Sequence, residues 1–154
     1  MTNAATNDTD LSAAGYAALV LRVALGIIFI THGLLKFIVF GLPGTAAFFA
    51  SQGFPGWTAY IVAPLELVGG LLLVLGVYTR YISLALVPVT LGAITVHWAN
   101  GWFFNNQNGG WEFVGFLVAA LVVQALLGDG NLSLSSFWNS SKSATGTIAS
   151  IPNL

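Results

Sequence analysis

YAALVLRVALGIIFITHGLLKFI, residues Tyr16–Ile38, decides the fold. A bilayer's hydrocarbon core takes about 20 mostly apolar residues of helix to cross, and this run exceeds that. It is apolar nearly all the way round, where a surface helix of a soluble domain would carry one apolar stripe. It does not read as a cleaved leader, because it is too long, no basic region precedes it and no small-residue cleavage site follows. Three further segments have the same character: Trp57–Tyr78, Ile82–Trp98 and Trp111–Leu127. Trp57, Tyr78, Tyr81, Trp98, Trp102 and Trp111 stand at or just beyond the span ends, where interfacial aromatics collect.

Composition points the same way. Of 154 residues, 56% are hydrophobic and 6% charged, against about 25% charged in a typical soluble domain. Such a chain cannot coat its own surface for water. The net charge of −1 provides no basic patch, so nucleic acid is not expected as a partner. Absence of cysteine removes disulfides, thiolate metal sites and thiol redox chemistry. The expected fold is all-α: an integral membrane four-helix bundle with the lipid bilayer as its solvent.

The connections refine this. Val77–Ile82 is tight, so spans two and three must be antiparallel neighbours. Gly41–Gly56 is bracketed by Pro43, Gly44, Gly53, Pro55 and Gly56; within it Thr45–Gln52 reads as a short interfacial helix between spans one and two, with Thr45 as its cap. Asn100–Gly110, NGWFFNNQNGG, reads as a polar loop with an aromatic centre. The expected organisation is a flexible tail over residues 1–15, a four-span domain over 16–128 and a second flexible tail over 129–154. Four spans put both termini on one side. Arg22, Arg80 and Lys142 belong to that side and Lys36 to the other, which predicts cytoplasmic termini in a bacterial inner membrane.

Arg22, Lys36, Glu66 and Glu112 lie within the spans, as do His32 and His97. Ionisable groups at bilayer depth are costly and are expected to face inward and find partners. Helical spacing predicts inward stripes of Arg22, Gly26, Phe29, Gly33 and Lys36 in span one, with His32 at the edge. The corresponding stripes are Glu66, Gly70, Leu73 and Val77 in span two, Thr90, Ala93 and His97 in span three, and Glu112, Phe116, Ala119 and Val123 in span four. Arg22 and Glu66 are expected to form a structural ion pair. By helical rise, His32, Lys36, His97 and Glu112 share a depth of roughly 7–14 Å from the midplane. They are expected to converge beneath the Asn100–Gly110 loop, with Trp98 and Trp111 at the rim. No metal site is expected, since no paired ligand spacing occurs within one helix.

Arg22 with HGLLK (His32–Lys36), ELVGGLLLVLGVYTR (Glu66–Arg80), HW (His97–Trp98) and WEF (Trp111–Phe113) together resemble the DoxX family of small four-helix bacterial membrane proteins, over roughly residues 16–128. That family is named for the small subunit of a thiosulfate:quinone oxidoreductase, and some members are linked to membrane redox or thiol-stress complexes. The resemblance implies a redox-associated membrane subunit. The chain carries no signature for flavin, haem, nicotinamide or an iron–sulfur cluster, so no intrinsic cofactor is expected and any electron carrier belongs to another membrane or peripheral redox protein.

Three functions stay open at this point. One is a redox-associated subunit contacting a quinone, with His32, Lys36, Glu66, His97, Trp98 and Glu112 as the ligand-binding set. The histidines and Lys36 would supply hydrogen-bond donors and Glu112 would exchange the proton. A second is an accessory scaffold without a ligand, in which the same residues only specify packing. The third is a small-solute or proton transporter formed by self-association.

Overall fold

The computed structural model describes residues 4–135 and 138, with side chains from residue 13 onward. Within them the chain is helical. Helix α1 (Ala4–Leu34) runs into a single π-helical turn, Leu35–Val39, and then α2 (Gly41–Ser51); α3 (Ala59–Leu75), α4 (Thr79–His97) and α5 (Glu112–Leu127) follow. The helices α1, α3, α4 and α5 form an antiparallel ring in which α1 packs mainly on α3 and α4 mainly on α5.

Segments Ala13–Val39, Gly56–Leu75 and Thr79–Asn100 are each long and apolar enough to cross a membrane. The fourth element, α5, measures about 24 Å at 1.5 Å per residue, less than the ~30 Å hydrocarbon core. No more than 33% of any long span is buried against the rest of the chain. Most of each span therefore faces outward, through side chains such as Ile27, Ile61, Leu84 and Leu91. Water would not tolerate that continuous apolar surface; lipid does. The molecule is an all-helical membrane bundle.

Close backbone approach explains why α1 and α3 pack so extensively. A Cβ placed on Gly70 would stand 2.7 Å from the Gly26 carbonyl oxygen, and one on Gly33 would stand 2.8 Å from the Leu67 amide nitrogen. Small residues permit such contact in membrane helices, where dispersion and lipid entropy drive association. Leu25, Phe29, Leu73, Leu86, Leu117, Ala120 and Leu121 fill the centre. The α3–α4 turn closes on Gly76 at φ +70°. There Val77 N–H reaches Leu72 O at 3.0 Å and Gly76 N–H reaches Leu73 O at 3.1 Å, the paired bonds of a Schellman stop.

Several expectations need correction. Helix α1 begins at Ala4, so residues 4–15 extend the first span as helix. Residues 129–135 are packed rather than forming a tail: Asn131 N–H bonds Gly15 O, Ser135 Oγ bonds Gly76 O, and Asp129 Oδ1 accepts the Thr79 amide at 3.0 Å, capping α4 from a distance. Lys142, used in the orientation count, lies outside the described residues. The short helix starts at Gly41, and Thr45 is buried inside it, its hydroxyl bonding Gly41 O instead of capping. In α5 the inward face is Leu117, Ala120, Leu121 and Gln124, while Phe116 and Val123 are exposed. That helix is so evenly apolar that Glu112 alone had fixed the expected stripe, and the Glu112 carboxylate turns to the loop.

Candidate functional site

Arg22 and Glu66 do not pair. Gly26 lies against Gly70, and this antiparallel register sets Arg22 beside the last turn of α3, about 10 Å of helix away from Glu66. The Arg22 guanidinium is spent on backbone carbonyls. Nη1 donates to Val74 O at 3.0 Å and to Leu73 O, and Nη2 donates to Leu132 O at 2.8 Å and Asn131 O at 3.1 Å. It ties carbonyls at the end of α3 to those of residues 131 and 132 and so holds the turn after α5 onto the bundle.

Glu66 pairs instead with Lys36, Nζ to Oε2 at 2.6 Å, with both side chains largely buried. The π turn Leu35–Val39 carries Lys36 into this position, and the ammonium also approaches His32 O. Such turns interrupt the α-helical spacing and re-aim side chains. Lys36 is therefore not opposite Glu112, as expected from depth, and takes no part in the chamber beneath the loop.

The loop itself is strapped by hydrogen bonds. Gly110 N–H reaches Phe103 O, Trp111 N–H reaches Gly101 O and Glu112 N–H reaches Trp102 O, all within 3.0–3.1 Å. Asn100 Nδ2 donates to Gly109 O at 2.9 Å and Asn106 Nδ2 to Asn100 O at 2.8 Å. Glu112 Oε1 accepts the Phe104 amide at 2.9 Å. Trp111 stacks on Trp98 with centroids 4.9 Å apart and meets Trp102 edge-on at 4.4 Å.

Beside this loop an open pocket of about 690 Å³ lies between α1, the end of α4 and the start of α5. His32, His97 and Glu112 line it, together with Trp102, Phe104, Gly109, Gly110, Phe113, Val114 and Phe116. Three of the four polar residues expected at one depth thus line the same pocket. Lys36 and Glu66 do not line it. Neither Trp98 nor Trp111, expected at the rim, lines it; the two stack on each other, and Trp111 meets the lining residue Trp102 edge-on. Trp102, expected as an interfacial aromatic, forms a wall of the pocket together with Phe104. The signal available for this was the polar loop folding back to Glu112.

His32 Nδ1 lies 2.8 Å from Ile28 O, and His97 Nδ1 lies 3.0 Å from Gly109 O. A carbonyl oxygen only accepts, so Nδ1 carries the proton in both rings and Nε2 is the remaining atom. Among the described residues, no three His, Cys, Asp or Glu side chains come together to hold a metal.

Comparison with known proteins supplies the identity. The model of the DoxX family matches residues 17–98, from α1 through the end of α4; the loop and α5 lie beyond the match. The chain is 39% identical over 119 residues to "Putative oxidoreductase CatD" of Bacillus subtilis (strain 168), covering 77% of this chain and 84% of that protein. It is 30% identical over 125 residues to "Inner membrane protein YphA" of Escherichia coli (strain K12), covering 75% and 86%. No solved structure matches. The chain belongs to the DoxX family.

Proposed function

We propose that this protein is the membrane subunit of a bacterial redox system and holds a quinone-type ring in the pocket beside the Asn100–Gly110 loop. The observation that carries the reading is that His32, His97 and Glu112 all line one open, aromatic-walled pocket of about 690 Å³. Ligand sites of this size are mostly apolar with a few placed polar groups. A quinone needs that combination, a slot for its ring and tail and hydrogen-bond partners for its oxygens. The oxidoreductase name of the Bacillus subtilis relative supports a redox setting, and the name of the Escherichia coli relative supports the inner membrane. The reaction's electron carrier belongs to a partner protein.

The orientation proposed is cytoplasmic termini with the loop outside. Arg22 is buried on carbonyls and Lys36 is buried against Glu66. Exposed Arg80 is then the basic group at the terminus end among the described residues, with none at the loop end.

Tryptophan emission tests the ring site, because Trp102 lines the pocket and Trp111 packs edge-on against Trp102. Titrating a short-chain quinone into the purified protein in mild detergent should give saturable quenching that Trp102→Phe largely removes. Quenching that rises linearly with quinone and is unchanged by the substitution would refute the site.

A second reading has its own observation. His97 and Glu112 both bond the loop backbone, as they would in a plug that closes a scaffold bundle. Linear quenching in the same titration, with the loop still ordered, is the outcome that reading requires.

A further inference from the structure

The two chain connections at the loop end leave one seam of the ring unbridged. The link from α1 to α3 runs through α2, which packs on the π turn and on α3, and the Asn100–Gly110 loop joins α4 to α5. Neither connection joins α1 to α5, the two helices that close the ring. At the centre of the bundle this seam is shut: Leu25 and Phe29 of α1 and Leu117 and Leu121 of α5 belong to one buried cluster. One turn nearer the loop it parts. His32 follows Phe29 on α1, and Phe113 precedes Leu117 on α5, at spacings that keep to one helix face, yet both are exposed. Both line the pocket, as does Phe116, which is 65% exposed.

The parting lies at hydrocarbon depth. His32 stands about 10 Å of helix inside the end of the membrane-crossing segment Ala13–Val39, and Phe116 lies past the first turn of α5. An ionisable side chain exposed at that depth is costly and is normally given a polar partner. The His32 ring reaches only its own helix, through Nδ1 and Ile28 O, which leaves Nε2 for a ligand. We infer that the α1–α5 seam at the loop end is a lateral portal through which the pocket takes its ligand from the bilayer. The inference rests on the ring-site reading above and narrows the ligand class. The ligand is an amphiphile whose polar ring sits among His32, His97 and Glu112. Its apolar tail stays in the seam against Phe113 and Phe116 and continues into lipid.

The chain has no cysteine, so a single introduced one reports without background. Phe116→Cys, at an exposed position, would carry a nitroxide at the seam of the full chain in lipid nanodiscs. Collisions of the label with oxygen, which concentrates in lipid, are compared with collisions with a water-soluble nickel chelate. Oxygen collisions should exceed chelate collisions several-fold. A long-tailed quinone should then lower the oxygen collisions more than a tailless quinone does at equal occupancy. Phe113→Cys, one turn nearer the loop, should show the same response to the tail. Chelate collisions exceeding oxygen collisions would mean that the seam opens to water and would overturn the portal. Spin–spin broadening between labels on two copies would overturn it as well, because a second copy would then cover the seam. Unchanged collisions together with saturable tryptophan quenching by the long-tailed quinone would overturn the portal and leave the ring site standing. No response of either label or tryptophan to any quinone would overturn both.

Discussion

Among single residues, the Lys36–Glu66 pair has the clearest energetic consequence. Its ammonium and carboxylate meet at 2.6 Å inside a span, where neither can be left alone cheaply. Breaking one partner of a buried pair typically costs about 3–5 kcal/mol, whereas an apolar replacement of both is often neutral. Glu66→Gln should therefore lower the thermal unfolding midpoint in detergent sharply, and Lys36→Met combined with Glu66→Leu should recover most of the loss. A single variant that melts like the parent would mean the pair contributes nothing. Much at this scale was legible in the sequence. The stripe of Arg22, Gly26, Gly33 and Lys36 does meet α3, because helical spacing fixes which side chains share a face. Their partners were not legible. Counting depth from span centres assumes that the centres align, and α1 is longer than α3 at its N-terminal end. The π turn then changes where Lys36 points, and nothing in LLKFIV announces it.

At the scale of elements, glycine positions separate packing from mere composition. Gly70 faces the α1 backbone, so Gly70→Val would drive the helices apart and should destabilise the protein by about 1–3 kcal/mol, as overpacking does. Gly44 lies inside α2 with nothing within 4 Å of an added Cβ. Gly44→Ala should accordingly be neutral or stabilise by up to about 1 kcal/mol through helix propensity. Opposite signs in a detergent melting series would support the packing described; equal effects would contradict it. The loop is the other element with a definite expectation. Glu112→Ala removes the acceptor for the Phe104 amide and should raise amide hydrogen exchange across residues 100–110 while leaving α3 protected. The sequence showed a polar loop between two apolar spans, but apart from the Glu112 carboxylate its cross-bonds end on backbone carbonyls, which carry no sequence mark. The same holds for the Asp129 cap on α4 and for Arg22, whose partners are all carbonyls.

For the whole molecule, the four-helix membrane bundle follows from span length and charge poverty alone, and hydropathy made it legible. The path of the ring did not need hydropathy: short connections force antiparallel neighbours. What the sequence left open was which outward or inward turn each evenly apolar helix takes, as α5 shows. Topology has its own check. A reporter fused at Leu154 should be active only if its chemistry suits the cytoplasm, and activity restricted to the exterior would reverse the proposed orientation and place the cavity at the inner leaflet. The central claim is that the pocket beside the loop receives a quinone-type ring, and covalent mapping tests it most directly. A short-chain quinone carrying a photoreactive diazirine would be bound, irradiated and located by peptide mass spectrometry. Labelling concentrated on His32 and on residues 97–116, and competed away by excess unlabelled quinone, is the predicted result; labelling spread over lipid-facing positions such as Ile61 and Leu84, without competition, would contradict it.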